Sequence, residues 1–266
     1  MIDKTHWKAH VHDAVMFGDH ICPLCDGVGM VAIDKDDFPC DCIELKWKKK
    51  RIESILPLRY QRCNLYTIQP STNSKLPLER QRSLIEHLSK VENRNKGYFL
   101  YGEPGTSKTT LAAALVRNAI ERDWDTWFYK NGVYQKWDRS LWIRYVNWDN
   151  LIGQYLAYQN DREAPPPTVT AQLIQDAAAE GRRPVLCIEE LDKSKLTQYK
   201  ANKLFDLVQA MDAAMGQLII TTNYRTMEEF EAFLYKTDDE TINLTGEPVW
   251  RRIMDNCSFI PFEIPK

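Results

Sequence analysis

The chain has 266 residues, of which 44% are hydrophobic and 27% are charged, and its formal net charge is −2. This composition excludes a disordered chain, and the near-neutral charge excludes binding of nucleic acid through overall charge, so any DNA contact must come from a local patch. No apolar run approaches the ~20 residues of a membrane span, and residues 1–7 contain no signal-peptide core.

Four cysteines near the N-terminus form two close pairs. Cys22 and Cys25 form a C-x-x-C pair, and Cys40 and Cys42 form a C-x-C pair after a predicted strand and turn. We expect a cytoplasmic protein, where disulfides are rare, so two thiolate pairs at this spacing favour a tetrahedral zinc site. The alternatives are four unligated cysteines in an apolar cluster and an iron–sulfur cluster. A metal would stabilise a module that has little core of its own.

A basic helix is predicted next, over residues 43–56, ending at Pro57. It carries five Lys or Arg side chains within residues 46–51. Two interpretations are open, a solvated helical face and a contact with nucleic acid or an acidic partner. We predict that residues 1–56 form an N-terminal partner-binding module, and that residues 57–266 form a second domain.

The strongest motif lies between a short apolar stretch, residues 97–101, and a segment rich in Ala and Leu. A strand, a glycine-containing loop with Lys-Thr and a helix are the context of a P-loop. Backbone N–H groups of such a loop surround phosphates, Lys108 adds a positive charge, and the Thr109 hydroxyl binds Mg2+. The residues predicted to bind the nucleotide in this loop are Gly102, Glu103, Pro104, Gly105, Thr106, Ser107, Lys108, Thr109 and Thr110.

Ser107 departs from the P-loop pattern, which has Gly directly before the Lys. In one interpretation the backbone tolerates a side chain there and the site works normally. In the other, the loop needs positive φ or a close approach to phosphate, and Ser costs roughly 1–3 kcal/mol. The second case would weaken nucleotide binding without abolishing it.

A hairpin is predicted in the aromatic stretch of residues 124–137, because Asn131-Gly132 separates two runs of strand-forming residues. Its aromatic side chains are interleaved with Lys, a combination that suits stacking on single-stranded bases. The alternative is a hairpin that simply packs on the domain.

Two acids end the apolar strand predicted over residues 184–188 and form a Walker B element. We expect this strand to lie beside the P-loop strand in a parallel sheet, with its carboxyl end facing the phosphates. Glu189, where Asp is usual, would bind Mg2+, and Glu190 would polarise the attacking water. Asn223 ends a later buried strand and is placed to hydrogen-bond that water or the γ-phosphate.

An arginine pair, Arg251 and Arg252, lies in a helix predicted before a last edge strand, residues 258–262. Such an arginine can reach the γ-phosphate of a neighbouring subunit, where it accelerates phosphoryl transfer strongly. The alternative is an ordinary surface pair.

Taken in order, these motifs resemble the DnaC/DnaI/IstB group of AAA+ ATPases. The resemblance is carried by residues 101–112 for Walker A, 188–191 for Walker B, 220–223 for sensor 1 and 251–257 for the arginine segment. It implies an α/β fold, a three-layer parallel sheet without a full helical lid, preceded by a small zinc-binding module. It also assigns the arginine finger to Arg252.

The resemblance further implies an ATP-dependent helicase loader with slow hydrolysis. Its expected cofactors are ATP, Mg2+ and Zn2+, and its expected partners are a replicative DNA helicase, single-stranded DNA and further copies of itself on ATP binding. Two alternatives stay open: an IstB-like ATPase that assists DNA transposition, and a non-hydrolysing nucleotide-binding adaptor in which Ser107 and Glu189 mark a decayed site.

Overall fold

The computed structural model of the chain describes residues 22, 25–26, 28, 30–33, 36–90, 96–124, 127–130, 133–136, 141–236 and 242–264. Their secondary structure begins with an N-terminal hairpin and helix. In chain order the elements are β1 (Met30–Ile33), β2 (Asp36–Pro39), α1 (Asp41–Ile55), α2 (Leu78–Ser89), β3 (Gly97–Gly102), α3 (Lys108–Trp124), β4 (Trp127–Lys130), β5 (Val133–Lys136), β6 (Leu141–Asn147), α4 (Trp148–Asn160), α5 (Ala171–Ala179), β7 (Arg183–Glu189), α6 (Gln198–Ala213), β8 (Gln217–Thr221), α7 (Met227–Tyr235), α8 (Gly246–Asn256) and β9 (Cys257–Phe262).

Five parallel strands form the central sheet in the order β6–β7–β8–β3–β9. The predicted parallel α/β sheet is therefore confirmed, and β9 lies at its edge as predicted. The predicted neighbour of the P-loop strand is wrong: β8 lies between β3 and β7 and pairs with both. Strand order depends on how the intervening helices cross the sheet, and the spacing of motifs along the chain does not contain that information.

Both faces of the sheet are covered, which β7 illustrates. Val185 and Cys187 belong to an apolar core shared with α1, α2 and α3, whereas Leu186 and Ile188 belong to a core shared with α4 through α8. Successive side chains of a strand point to opposite faces, so a strand covered on both faces needs an uninterrupted apolar run. The chain therefore has the predicted three layers.

Helix α1 packs against the domain that carries the P-loop. Leu45, Ile52 and Leu56 are buried in the core shared with α3. Arg51 Nη2 donates to the Leu141 carbonyl, at the start of β6, over 2.8 Å. Lys48, in the predicted basic run, is buried as well. The boundary at residue 56 stays a prediction, but the helix before it is attached to the sheet layer.

The predicted aromatic hairpin forms: β4 and β5 pair antiparallel, with Trp127 opposite Lys136 and Lys130 opposite Val133. Its Asn131-Gly132 turn lies outside the described residues. Helix α7 was not predicted, although Thr226 Oγ1 caps it by accepting a hydrogen bond from the Glu229 N–H at 3.2 Å. Among the described residues, no helix combines the length and apolar character needed to cross a membrane.

Candidate functional site

The P-loop joins the carboxyl end of β3 to the first turn of α3. Gly102 and Gly105 have φ values of 136° and 83°. A Cβ on Gly102 would lie 2.5 Å from the Phe262 carbonyl oxygen, so only glycine fits at this position. Thr106 is buried, and its hydroxyl donates to the Glu103 carbonyl at 2.8 Å. This hydrogen bond within the loop helps to fix the loop conformation.

Ser107 has a φ of 71°, in the left-handed region where a side chain is strained. Of the two interpretations of this residue, the structure has the one with positive φ. Its carbonyl also accepts the first helical hydrogen bond of α3, from the Leu111 N–H at 3.1 Å. The strained residue therefore fixes both the loop and the start of the helix.

Lys108 points its ammonium into the loop. Its Nζ donates to the carbonyls of Gly102 and Glu103, each at 2.7 Å. Burial lowers the pKa of Lys108 to about 8, and the nearby charges of Asp192 and Glu103 oppose that shift. A buried ammonium that is bound to two carbonyl oxygens can replace these acceptors with phosphate oxygens when a nucleotide binds.

The two Walker B acids are held by side chains of the neighbouring strand β6. Glu189 is 6% exposed, and Tyr145 Oη donates to its Oε2 at 2.9 Å. Glu190, with a φ of 53°, accepts from Asn147 Nδ2 at 3.1 Å and from Lys193 Nζ at 2.9 Å. These three donors were not predicted from the sequence. Tyr145 and Asn147 lie near the carboxyl end of β6, and that position at a strand end was the available signal.

Asn223 reaches the site beside a third acid. Its backbone N–H donates to Asp192 Oδ2 at 2.9 Å, while Asp192 Oδ1 is buried without a hydrogen-bond partner among the described residues. Asp192 is also the charge that raises the pKa of Lys108 most. The P-loop lysine, the Walker B segment and the backbone of Asn223 therefore lie close together.

The oxygen atoms of this region fit the magnesium ion that the resemblance implies. Within the described part of the chain, neither Asp192 Oδ1 nor Glu189 Oε1 receives a hydrogen bond. Thr109 follows Lys108 in the first turn of α3. Carboxylate and hydroxyl oxygens are the ligands that Mg2+ prefers.

Two basic residues that the sequence did not single out lie against the P-loop. The Lys75 N–H donates to the Gly105 carbonyl at 2.9 Å, and its charge lowers the pKa of Lys108. Arg225 forms an ion pair with Glu103 at 3.2 Å and lines a cleft of about 750 Å3 beside the start of the loop. Lys75 lies in the loop before α2 and Arg225 in the segment after β8, and the sequence of these loops gave no signal for the contacts.

Arg252 lies at the amino ends of the sheet strands, whereas the P-loop lies at their carboxyl ends. Its Nε is 3.2 Å from Asp212 Oδ2, near the end of α6, and its helix α8 leads directly into the first residue of β9. Helix α6 ends shortly before β8, and α8 ends directly before β9, so the ion pair lies at the amino ends of these two parallel strands. Arg251 is mostly exposed and pairs with Glu247 at 2.8 Å. Neither arginine belongs to the P-loop site of its own chain.

The four predicted zinc ligands come together in a separate cluster. The sulfurs of Cys22, Cys25, Cys40 and Cys42 all lie within 4.8 Å of one another, and all four residues are buried. Two of the distances are 3.6 Å, between Cys22 and Cys40, and 3.3 Å, between Cys25 and Cys42. Tetrahedral zinc with Zn–S bonds of about 2.3 Å places its sulfurs about 3.8 Å apart, so the donor set fits zinc.

The cluster is continuous with helix α1. Cys40 directly precedes the helix, and Cys42 lies in its first turn. Burial raises the pKa of the Cys40 thiol to about 11. The N–H groups and dipole at a helix N-terminus favour thiolates, which offsets part of this cost of burial. A metal here would therefore also fix the start of α1.

Comparison with known proteins gives structural similarities only. No family model matches the chain, and no curated protein matches it. Solved structures similar in fold include the DnaC helicase loader, at 19% identity and a TM-score of 0.49, covering 76% of this chain and 98% of that one. DnaI has 16% identity and a TM-score of 0.48, covering 77% and 93%.

A third similar structure is the replication initiator DnaA bound to AMPPCP and single-stranded DNA, at 14% identity and a TM-score of 0.47. The match covers 79% of this chain and 51% of that one. At such identities the similarity concerns the fold, and the chemistry of the site depends on the residues described above.

Proposed function

We propose that the chain binds ATP with Mg2+ at the P-loop and hydrolyses it. The observation that supports this most is the meeting of three separate motifs around one lysine. Asp192, in the Walker B segment, accepts the Asn223 N–H, and the charges of Asp192 and Glu190 both act on Lys108. Strand ends that bring a lysine, carboxylates and an amide to one point suit phosphoryl transfer to water.

In this proposal Lys108 binds the outer phosphates, while Thr109 and Glu189 hold the Mg2+ ion. The metal neutralises charge that develops on the phosphates. Glu190 orients and deprotonates the attacking water, and Asn223 hydrogen-bonds that water or the γ-phosphate. The remaining loop residues, from Gly102 through Thr110, surround the phosphates with their N–H groups.

Two features favour slow hydrolysis. Ser107 keeps the loop in a strained conformation, and Glu190 is already bonded to Asn147 and Lys193 through the oxygen Oε2. Two donors that stabilise the carboxylate charge lower the energy of the ground state relative to the transition state, in which that charge is being neutralised. These features would also suit an adaptor that binds ATP without hydrolysing it.

We further propose that the chain is a helicase loader. In that role the zinc module and α1 contact a replicative DNA helicase, and copies assemble on ATP binding around single-stranded DNA. The resemblance of the motif set supports this assignment, and the cysteine cluster favours it over IstB-like transposition. Zinc bound by the cluster would stabilise the proposed helicase-binding module.

The test of the enzyme proposal is ATP binding and turnover by the purified chain. We expect wild-type protein to bind ATP and hydrolyse it slowly, Lys108→Ala to lose binding, and Glu190→Gln to bind ATP without turning it over. Binding without turnover in the wild type would favour the adaptor. Equal nucleotide binding by wild type and Lys108→Ala would reject the P-loop as the site.

The test of the loader proposal is the identity of the protein that co-purifies with the chain in the presence of ATP. A replicative helicase, retained through residues 1–56 and lost on disruption of the cysteine cluster, is the expected result. A transposase in its place would support the IstB-like alternative.

A further inference from the structure

The half-buried Tyr145 and the buried Glu189 form a pair across the strands β6 and β7. The register pairs Tyr145 with Cys187 and Asn147 with Glu189. Since side chains alternate along strands, Tyr145, Cys187 and Glu189 share the face of the sheet that packs against the P-loop helix α3. Tyr145 Oη completes the pair by donating to Glu189 Oε2 at 2.9 Å.

This hydrogen bond fixes one of the two carboxylate oxygens. Glu189 is 6% exposed, and a buried carboxylate is costly unless donors compensate its charge. No described residue donates to the other oxygen, Oε1.

The tyrosine ring is itself held in place. Tyr60, which follows α1 in a short helical turn at Leu58–Tyr60, packs on Tyr145 with ring centroids 6.5 Å apart. Arg59 lies over the Tyr60 ring at 4.5 Å. The orientation of the Tyr145 hydroxyl is therefore set by packing as well as by its hydrogen bond.

The pair also accounts for the unusual length of the first Walker B acid. Glutamate is one methylene longer than the usual aspartate, which extends the carboxylate by about 1.5 Å. An aspartate at position 189 would withdraw its oxygens from Tyr145 by a comparable distance and lose a bond of 2.9 Å. The longer acid and the tyrosine hydroxyl thus work together.

We propose that Tyr145 is a positioning residue, which holds Glu189 by one oxygen so that the other serves the Mg2+ ion of the bound nucleotide. This inference rests on the proposed nucleotide site. Removing the hydroxyl leaves the carboxylate free to rotate and to bind solvent, so the metal has to be recruited by a less ordered ligand. The affinity for the metal then falls, while the contacts of Lys108 and the loop with the phosphates are unchanged.

The test is the Mg2+ dependence of nucleotide binding, measured with a fluorescent ATP analogue over a range of Mg2+ concentrations. Tyr145→Phe keeps the ring and removes only the hydroxyl. We expect the Mg2+ concentration at half-saturation to rise about tenfold, the lower end of the effect of removing a partner that orients a metal ligand. Binding without Mg2+ should change less than twofold.

Glu189→Asp tests the same contact from the other side, because it keeps the charge but does not reach the hydroxyl. It should raise the Mg2+ requirement by itself, and adding Tyr145→Phe to it should change little further. Additive effects of the two substitutions, or an unchanged Mg2+ requirement in Tyr145→Phe, would overturn the inference. Failure of the wild type to bind the analogue at all would instead overturn the proposed nucleotide site.

Discussion

Lys193 Nζ lies 2.9 Å from Oε2 of Glu190, the carboxylate proposed to activate water. The lysine side chain is 58% exposed and the glutamate side chain 35% exposed, so the ion pair is accessible to solvent. Exposed ion pairs of this kind contribute little, because solvent screens them, so the pair shifts the conformational preference of Glu190 without fixing it. The pair thus favours the arrangement in which Glu190 is engaged by protein donors.

Lys193→Met is therefore expected to increase ATP turnover. Loss of this ground-state interaction is expected to raise the rate about two- to fivefold. Steady-state phosphate release at saturating ATP measures it. Lys195→Met, which removes an exposed lysine two residues further on, is the matched control and should leave turnover unchanged. A rate at or below that of the wild type would show that Lys193 does not restrain Glu190.

Ser107→Gly is expected to stabilise the fold. Glycine relieves the strain of a φ of 71° but adds freedom to the unfolded chain, and the net gain is about 1 kcal/mol. Ser107→Ala is the control, because alanine keeps a Cβ at the same backbone angle and should give no gain. Chemical denaturation gives both free energies of unfolding. Equal stabilities of the glycine and alanine variants would mean that the backbone at this position is not strained.

The outcome at Ser107 shows what the sequence could and could not provide. The motif flagged the residue, because a P-loop pattern has glycine there, but the sign of φ is a property of the folded loop. Likewise, the apolar runs predicted the strands of the sheet, yet the order that puts β8 between β3 and β7 comes from the paths of the helices. Local patterns therefore located the elements, and tertiary packing decided their neighbours.

The candidate site shows the same contrast between what local sequence patterns predict and what tertiary packing decides. Lys108, Glu190 and Asn223 were predicted as site residues because each follows a strand with a recognisable pattern. Tyr145 and Lys75 act through contacts between segments far apart in the chain, and the spacing of residues around them has no signature. Such contacts become visible only when the strands and the loops are placed in space.

Nucleotide affinity is expected to fall between pH 7 and pH 9. Burial lowers the pKa of Lys108 from 10.5 to about 8, so the ligand-free protein loses this positive charge in that range. Phosphates bind the charged form, and at pH 9 only about a tenth of the lysine carries it, which weakens binding about tenfold. Titration with a fluorescent ATP analogue at several pH values measures the effect.

The control for this pH dependence is Lys108→Arg, whose guanidinium stays charged throughout. Its affinity, although lower, should be nearly independent of pH over the same range. The sign for stability is the opposite: the folded-state pKa of Lys108 lies below the unfolded value, so its contribution to the free energy of unfolding increases from about pH 8 to pH 10.5. A flat affinity profile in the wild type would contradict the assignment of Lys108 as the phosphate cation.

The purified protein is expected to contain one equivalent of zinc per chain, and Cys42→Ser should abolish zinc binding. Losing the metal removes the link between the cysteine cluster and the first turn of α1, so the melting temperature should fall by several degrees, at about 2–4 °C for each kcal/mol lost. Metal analysis and thermal unfolding provide the two measurements. Cys63→Ser, at a partly buried cysteine outside the cluster, should retain both the zinc and the stability. Iron in place of zinc, or no metal in the wild type, would reject the zinc assignment.

Arg252 is expected to act on the nucleotide of a neighbouring copy, because it lies at the amino ends of the sheet strands and its own P-loop lies at their carboxyl ends. Arg252→Ala should lower turnover while ATP binding stays nearly intact. Mixed in equal amounts with Lys108→Ala, it should regain about a quarter of wild-type turnover, since half the P-loops are intact and half the neighbours supply the arginine. Asp212→Ala separates this role from a structural one: it breaks the same ion pair but keeps Arg252. If Asp212→Ala lost as much activity as Arg252→Ala, or if mixing restored nothing, the arginine would be structural.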